Sequence, residues 1–97
     1  MPTYVLLFNW TDQGVKGAKD TVNRYEAARP QLEQAGVTIR DIYWTMGPHD
    51  IVTIAEAADD ETLSSGLLAL AGQGNLRTLT MRAFSADEMR GVVGQMG

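Results

Sequence analysis

The sequence predicts a single α+β domain in which four antiparallel strands carry helices on one face. Three observations predict it. Short runs rich in β-branched and aromatic residues occur at Thr3–Asn9, Val37–Met46, Ile51–Ala57 and Asn75–Phe84. Between the first two runs, and again between the last two, apolar residues recur at three- and four-residue spacing, the period of a helix with one oily stripe. The middle pair is separated only by Gly47-Pro48-His49-Asp50, a turn that makes those strands a hairpin.

Thr3–Asn9 (TYVLLFN) is too short and too β-branched for a helix. Thr11 or Asp12 then caps a helix reaching Gln34, with Ala18, Val22, Tyr25, Ala28, Leu32 and Ala35 on one stripe. Gly14 and Gly17 loosen its start. Pro30 lacks an N–H, so a kink or a second short helix is expected there, and Gly36 stops the segment. After the hairpin, Asp59-Asp60-Glu61 caps a second helix with Leu63, Leu67 and Leu70 on its stripe. Ser85 and Glu88 form a capping box for a short terminal helix over Ala86–Met96. The order β-α-β-β-α-β plus a C-terminal helix is the ferredoxin-like, split βαβ pattern, spanning residues 1–97 as one domain.

Composition bounds the function. The chain of 97 residues carries a net charge of −4 with no basic run, so a nucleic-acid surface is not expected. It has no cysteine, which rules out disulfides, thiolate nucleophiles and cysteine-based metal sites. Neither a signal peptide nor a membrane span is visible, and the cytoplasm is the expected location.

Helices cover only one face of such a sheet, and a wet second face should show polar residues at alternate positions. Tyr4-Val5-Leu6-Leu7-Phe8 and Ile51-Val52-Thr53-Ile54-Ala55 are instead apolar on both faces. The expected assignment places Val5, Leu7, Val52, Ile54, Leu79 and Met81 against the helices. It leaves Tyr4, Leu6, Phe8 and Ile51 on the open face, with Thr78, Thr80 and Arg82 also opposite Leu79. Exposing four large apolar side chains would forgo roughly 6–12 kcal/mol, which predicts a homodimer packed sheet against sheet.

The opening Tyr4-Val5-Leu6-Leu7-Phe8-Asn9-Trp10-Thr11 with Gly14, the central Tyr43-Trp44-Thr45-Met46-Gly47-x-x-Asp50, and Gly74-Asn75-Leu76-Arg77-Thr78 with Arg82-Ala83-Phe84 resemble the GYD domain family over nearly the whole chain. The resemblance implies a dimeric α/β barrel. It implies no defined activity, and His49 stands where the signature has its tyrosine.

His49-Asp50 is the candidate catalytic pair, because the one histidine beside a carboxylate has the makings of a general base. The competing reading is a turn histidine with Asp50 capping backbone amides. Asn9, Trp10, Tyr43, Trp44, Thr78, Thr80 and Arg82 are the candidate ligand-binding residues, lining a pocket between the paired sheets. Arg82 would take Asp41, Glu56 or a ligand carboxylate as its partner. No metal site and no cofactor are expected. The expected function is a small-molecule-binding homodimer of non-catalytic or regulatory kind, with a small carboxylate or aromatic metabolite as ligand. The alternatives are a cofactor-independent enzyme of monooxygenase or isomerase type using His49 and Asp50, and an interaction module docking through the last helix.

Overall fold

The computed structural model describes residues 1–97. Its strands are β1 (Thr3–Trp10), β2 (Thr38–Trp44), β3 (Ile51–Glu56) and β4 (Leu76–Ala83), and its helices are α1 (Asp12–Lys16), α2 (Thr21–Gln34), α3 (Asp60–Ala71) and α4 (Ala86–Gly94). The sheet order is β2-β3-β1-β4, with every neighbouring pair antiparallel. This is the expected ferredoxin-like arrangement.

The segment after β1 breaks at Gly17 rather than at Pro30. Thr11 caps α1 by accepting from the Gly14 amide, a turn of 3₁₀ helix follows over Ala18–Asp20, and α2 then runs through Pro30 without a second start. Pro30 and Glu26, whose carbonyl the missing N–H would have met, both lie on the exposed side, where water can solvate that carbonyl. At the far end Gly36 has a φ of 92°. It lets Val37 N–H reach Leu32 O at 2.8 Å and Gly36 N–H reach Glu33 O at 3.0 Å, a Schellman closure. Asp59 caps α3 through Thr62 N–H, and the Ser85–Glu88 capping box opens α4 as expected.

The two faces of the sheet are the reverse of those expected. Tyr4, Leu6, Phe8, Ile51 and Ala55 are buried beneath the helices with Val37, Ile39, Leu63 and Leu67. Val5, Leu7, Val52 and Ile54 lie half-buried on the open face, beside Leu79 and Met81, which are 53% and 44% exposed. Thr78, Thr80 and Arg82 therefore point to the helix side, along an edge that no helix fully covers. Both faces of β1 are apolar, so its composition carried no phase to choose between them. The open face nevertheless carries six apolar side chains.

A bulge at Arg40 interrupts the β2–β3 register between Ile39 and Asp41. It turns Ile39 and Ile42, three residues apart, onto the same helix-facing side, where an unbroken strand would have opposed them.

Tyr4 anchors α3 to the sheet. Its side chain is 2% exposed and its hydroxyl donates to Asp60 Oδ1 at 2.5 Å. That hydrogen bond, and then burial, hold the phenol above its ordinary value of 10.0, with the nearby Arg82 guanidinium opposing. A raised value means the stabilisation is complete below pH 10.0 and is lost as pH rises through the folded-state value. Thermal melts between neutral and strongly alkaline pH should show a loss of Tm above that point. Tyr4→Phe should start lower and show a shallower alkaline decline, and parallel curves for the two proteins would contradict this role.

Candidate functional site

The hairpin turn gives both members of the expected catalytic pair structural hydrogen bonds. Asn9 donates from Nδ2 to Pro48 O at 2.8 Å, which aims its Oδ1 at His49 Nδ1, 2.9 Å away. An amide oxygen only accepts, so His49 donates from Nδ1. Asp50 Oδ2 accepts from Trp10 N–H at 2.9 Å, and Thr45 Oγ1 donates to His49 O at 2.6 Å. The cluster ties the β2–β3 turn to the end of β1, and Asp50 does cap a backbone amide.

The other candidates scatter. Tyr43 is 61% exposed on the open face. Trp44 lies on the helix side, donating from Nε1 to Thr21 Oγ1 at 3.0 Å and meeting Tyr25 edge-on at 6.0 Å between centroids. Arg82 takes neither Asp41 nor Glu56. Glu56 belongs to Arg40, with 2.6 Å between Nε and Oε1. Arg82 instead donates to the carbonyls of Thr3 and Ala83, lies 4.7 Å from the Phe84 ring centre, and approaches Glu88 at 3.7 Å. It pins the end of β4 to the start of β1 and to α4.

Beneath α2 lies a cavity of about 80 Å³. It is between the helices and the sheet, not on the sheet's open side. Phe8, Trp10, Ile42, Ile51 and Thr53 form much of its floor, and Tyr25, Ala28 and Leu32 of α2 form its roof. Arg24, Gln73 and Asn75 stand at its rim. Tyr25, Ala28 and Leu32 of the expected stripe face this space, whereas Val22 and Ala35 are exposed, and α2 buries no residue completely. Of the expected ligand-binding residues, only Trp10 lines this cavity.

Two residues that line the cavity each bury a polar atom with no protein partner: Trp10 Nε1 and Thr53 Oγ1. Thr53 is 1% exposed. A buried hydroxyl without a partner costs about 1–3 kcal/mol, so Thr53→Val, of nearly the same shape, should stabilise the fold by about 1 kcal/mol and raise Tm by roughly 4–8 °C. An unchanged or lower Tm would mean that the hydroxyl is already satisfied. Arg24 donates to Gly14 O at 3.1 Å and forms no ion pair, although Asp20 precedes it by one helical turn.

Arg24, Tyr25 and Thr53 were not among the expected site residues. Thr53 is the one hydroxyl in the apolar run IVTIA, but its lack of a partner shows only in the structure. Nothing local marks Arg24, because Asp20 four residues earlier offers an ordinary helix pair. No group of three His, Cys, Asp or Glu side chains converges as a metal site, and no helix is long and apolar enough to cross a membrane.

A family model described as GYD domain matches residues 4–93. A protein from Thermus thermophilus named glutamine synthetase and cystathionine beta-lyase binding protein is 31% identical over 90 residues, covering 92% of this chain and 95% of that one. Among solved structures, a Thermus thermophilus protein aligns with a TM-score of 0.53 and 26% identity, over 89% of this chain and 96% of its own. An FFRP crystal structure aligns with a TM-score of 0.62 over 87% of this chain and all of its own, and at 19% identity it speaks to the fold alone.

Proposed function

The chain belongs to the GYD domain family, and from that premise we propose that it is a non-catalytic binding domain of the cytoplasm that works as a homodimer and takes a small molecule into the cavity beneath α2. The observation that carries the reading is the cavity itself, lined mostly by apolar side chains with Arg24, Gln73 and Asn75 at its rim. Ligand sites combine apolar lining with a few polar groups in this way. The enzymatic alternative is disfavoured, because His49 and Asp50 are engaged in holding the turn and neither lines the cavity.

The homodimer rests on the open face. Leu79 and Met81 are about half exposed in the single chain and Val5, Leu7, Val52 and Ile54 are partly exposed beside them, which together forgoes roughly 2–7 kcal/mol of burial. A second copy, sheet against sheet, recovers it.

A protein-docking role is favoured by a separate feature. No residue of α4 is buried, and Met89, Val92, Val93 and the following Met96 recur at helical spacing with 40% to 82% of their surface exposed. Large exposed apolar stripes mark interaction surfaces. The Thermus thermophilus relative is named for binding two enzymes, and an α4 stripe that docks an enzyme would fit a regulatory domain that also senses a small molecule.

The small-molecule reading is tested by titrating a Trp44→Phe variant, in which Trp10 is the remaining tryptophan, with a library of charged and neutral fragments. Saturable change in Trp10 emission is expected for some of them. No change with any fragment would overturn the reading.

A further inference from the structure

Given the homodimer proposed above, on which this rests, we infer that α4 is an arm that docks on the second copy, its apolar stripe covering the exposed tip of that copy's β2–β3 hairpin. α4 is a capped helix with almost nothing of its own chain to lie on. The Ser85–Glu88 capping box opens it, and its root is fixed to β4 through Arg82, which approaches Glu88 at 3.7 Å and lies 4.7 Å from the Phe84 ring centre. Beyond that root no residue is buried, and Met89, Val92, Val93 and Met96 are 46%, 40%, 52% and 82% exposed. A nine-residue helix that includes Gly91 and Gly94 is marginal in water by itself, because helices of that length draw their stability from burying an apolar face.

The dimensions point to the second copy as the cover. The molecule is 52 Å long with a radius of gyration of 14.6 Å, against about 12.5 Å for a compact chain of this size. An eight-residue strand accounts for only about 26 Å of that length, so both ends overhang the sheet. β4 leaves the sheet where Ala83 pairs with Thr3, and α4 continues from there. The β2–β3 turn leaves it at the opposite end, beyond Phe8 and Ile51, and its Met46 is 99% exposed. Tyr43, on the open face at that end of β2, is 61% exposed. Four strands present an open face of roughly 20 by 20 Å, about 400 Å² in plan, whereas each partner in a stable pair buries about 800 Å². The remainder must come from outside the sheet. Val22 and Leu68 lie on α2 and α3, over the far face; among the rest α4 carries the longest apolar stripe, and Met46 is the most exposed side chain. A two-fold axis across the strands lays opposite ends of the two sheets over one another, so each copy's arm meets the other's hairpin tip. An axis along the strands would set arm beside arm and leave both Met46 side chains bare. A different protein on the α4 stripe is the competing outcome.

The chain has no cysteine, so introduced pairs can be read cleanly. Full chains carrying Met46→Cys and Val93→Cys, mixed, left to exchange subunits and treated with a short bismaleimide, should give a cross-linked pair of twice the chain mass. Either variant alone should give far less. Leu68→Cys mixed with Val93→Cys controls for random collision and should stay uncross-linked. Val92→Glu with Val93→Glu should weaken dimerisation about tenfold or more in sedimentation equilibrium. The circular dichroism of the fold should persist, because both side chains are exposed in the single chain. Met46→Glu should have the same effect from the other side of the contact. A wild-type protein that is monomeric overturns the dimer and the arm together. A wild-type dimer that the double glutamate variant leaves intact overturns the arm alone and frees the stripe for a different protein. A cross-link from Val93→Cys by itself that exceeds the mixed pair sets arm against arm and overturns docking on the hairpin tip.

Discussion

Leu79→Glu is expected to break the proposed sheet-to-sheet dimer into monomers without unfolding the chain. Leu79 sits on β4 opposite Leu7 and is 53% exposed in the single chain, so a carboxylate there remains hydrated when the chain is alone. Sheet-to-sheet pairing would take that carboxylate, and its twin on the second copy, out of water. Burying an unpaired charge costs several kcal/mol, which should weaken dimerisation by at least about a thousandfold. Sedimentation equilibrium should give twice the chain mass of 10.6 kDa for the wild type and 10.6 kDa for the variant. Leu68→Glu, at a 73% exposed position on α3, is the control and should stay dimeric. A wild-type protein that sediments as a monomer would remove the dimer from the proposal, while the helix-side cavity, which lies on the other face, would be unaffected.

Gly14→Ala is expected to be the most damaging small substitution in the chain. A Cβ at Gly14 would lie 2.0 Å from Asn75 O, and that oxygen is backbone, unable to swing aside. The same carbonyl accepts from Thr11 N–H at 3.1 Å, and Thr11 Oγ1 donates to Gly74 O at 2.6 Å. The methyl must therefore prise α1 from the start of β4, breaking the junction that holds the rim of the cavity. We expect a loss of about 2–4 kcal/mol, or roughly 10–20 °C in Tm. Ligand response should fall with it, since Trp10 and Asn75 flank the junction. Gly91→Ala supplies the opposite sign. Nothing lies within 4 Å of a Cβ there, and the residue is inside α4, so alanine should stabilise that helix by about 0.5–1 kcal/mol. Circular dichroism melts of the two variants should bracket the wild type, and a Gly14→Ala melt that coincides with it would contradict the packing described.

Acid should act on the helix starts. Asp59 is held below its ordinary carboxylate value by hydrogen bonds from Thr62, and Glu88 by the Ser85 amide. A lowered value means that the stabilisation is present above the unfolded-state value and is lost as pH falls through the folded-state one. Helical signal should thus decline below about pH 4. Glu88→Gln should blunt the part of that decline that belongs to α4, and the same acid profile in both proteins would argue against the capping box as its source.

The strands, their order along the chain, the caps at Asp59 and Ser85, and the stop at Gly36 were legible without coordinates, and the first cap was narrowed to Thr11 or Asp12, because each depends on neighbours within a few residues. The bulge at Arg40 was not legible, because that Ile39 and Ile42 share a face is known only from the register of β2 against β3. Which face of β1 the helices would cover was not legible. Tyr4, Leu6 and Phe8 are as apolar as Val5 and Leu7, and the choice shows only in packing with distant residues such as Leu63, Leu67 and Asp60. The site was lost with the face. An oily strand declares that both of its sides need covering, a fact of composition, but a cavity exists only where α2 stands off the sheet, and that distance is set by packing between segments far apart in the chain. For the same reason His49 stood out by its chemistry while Thr53 did not: a histidine is conspicuous as a residue type, whereas a partnerless hydroxyl is conspicuous only once its surroundings are known.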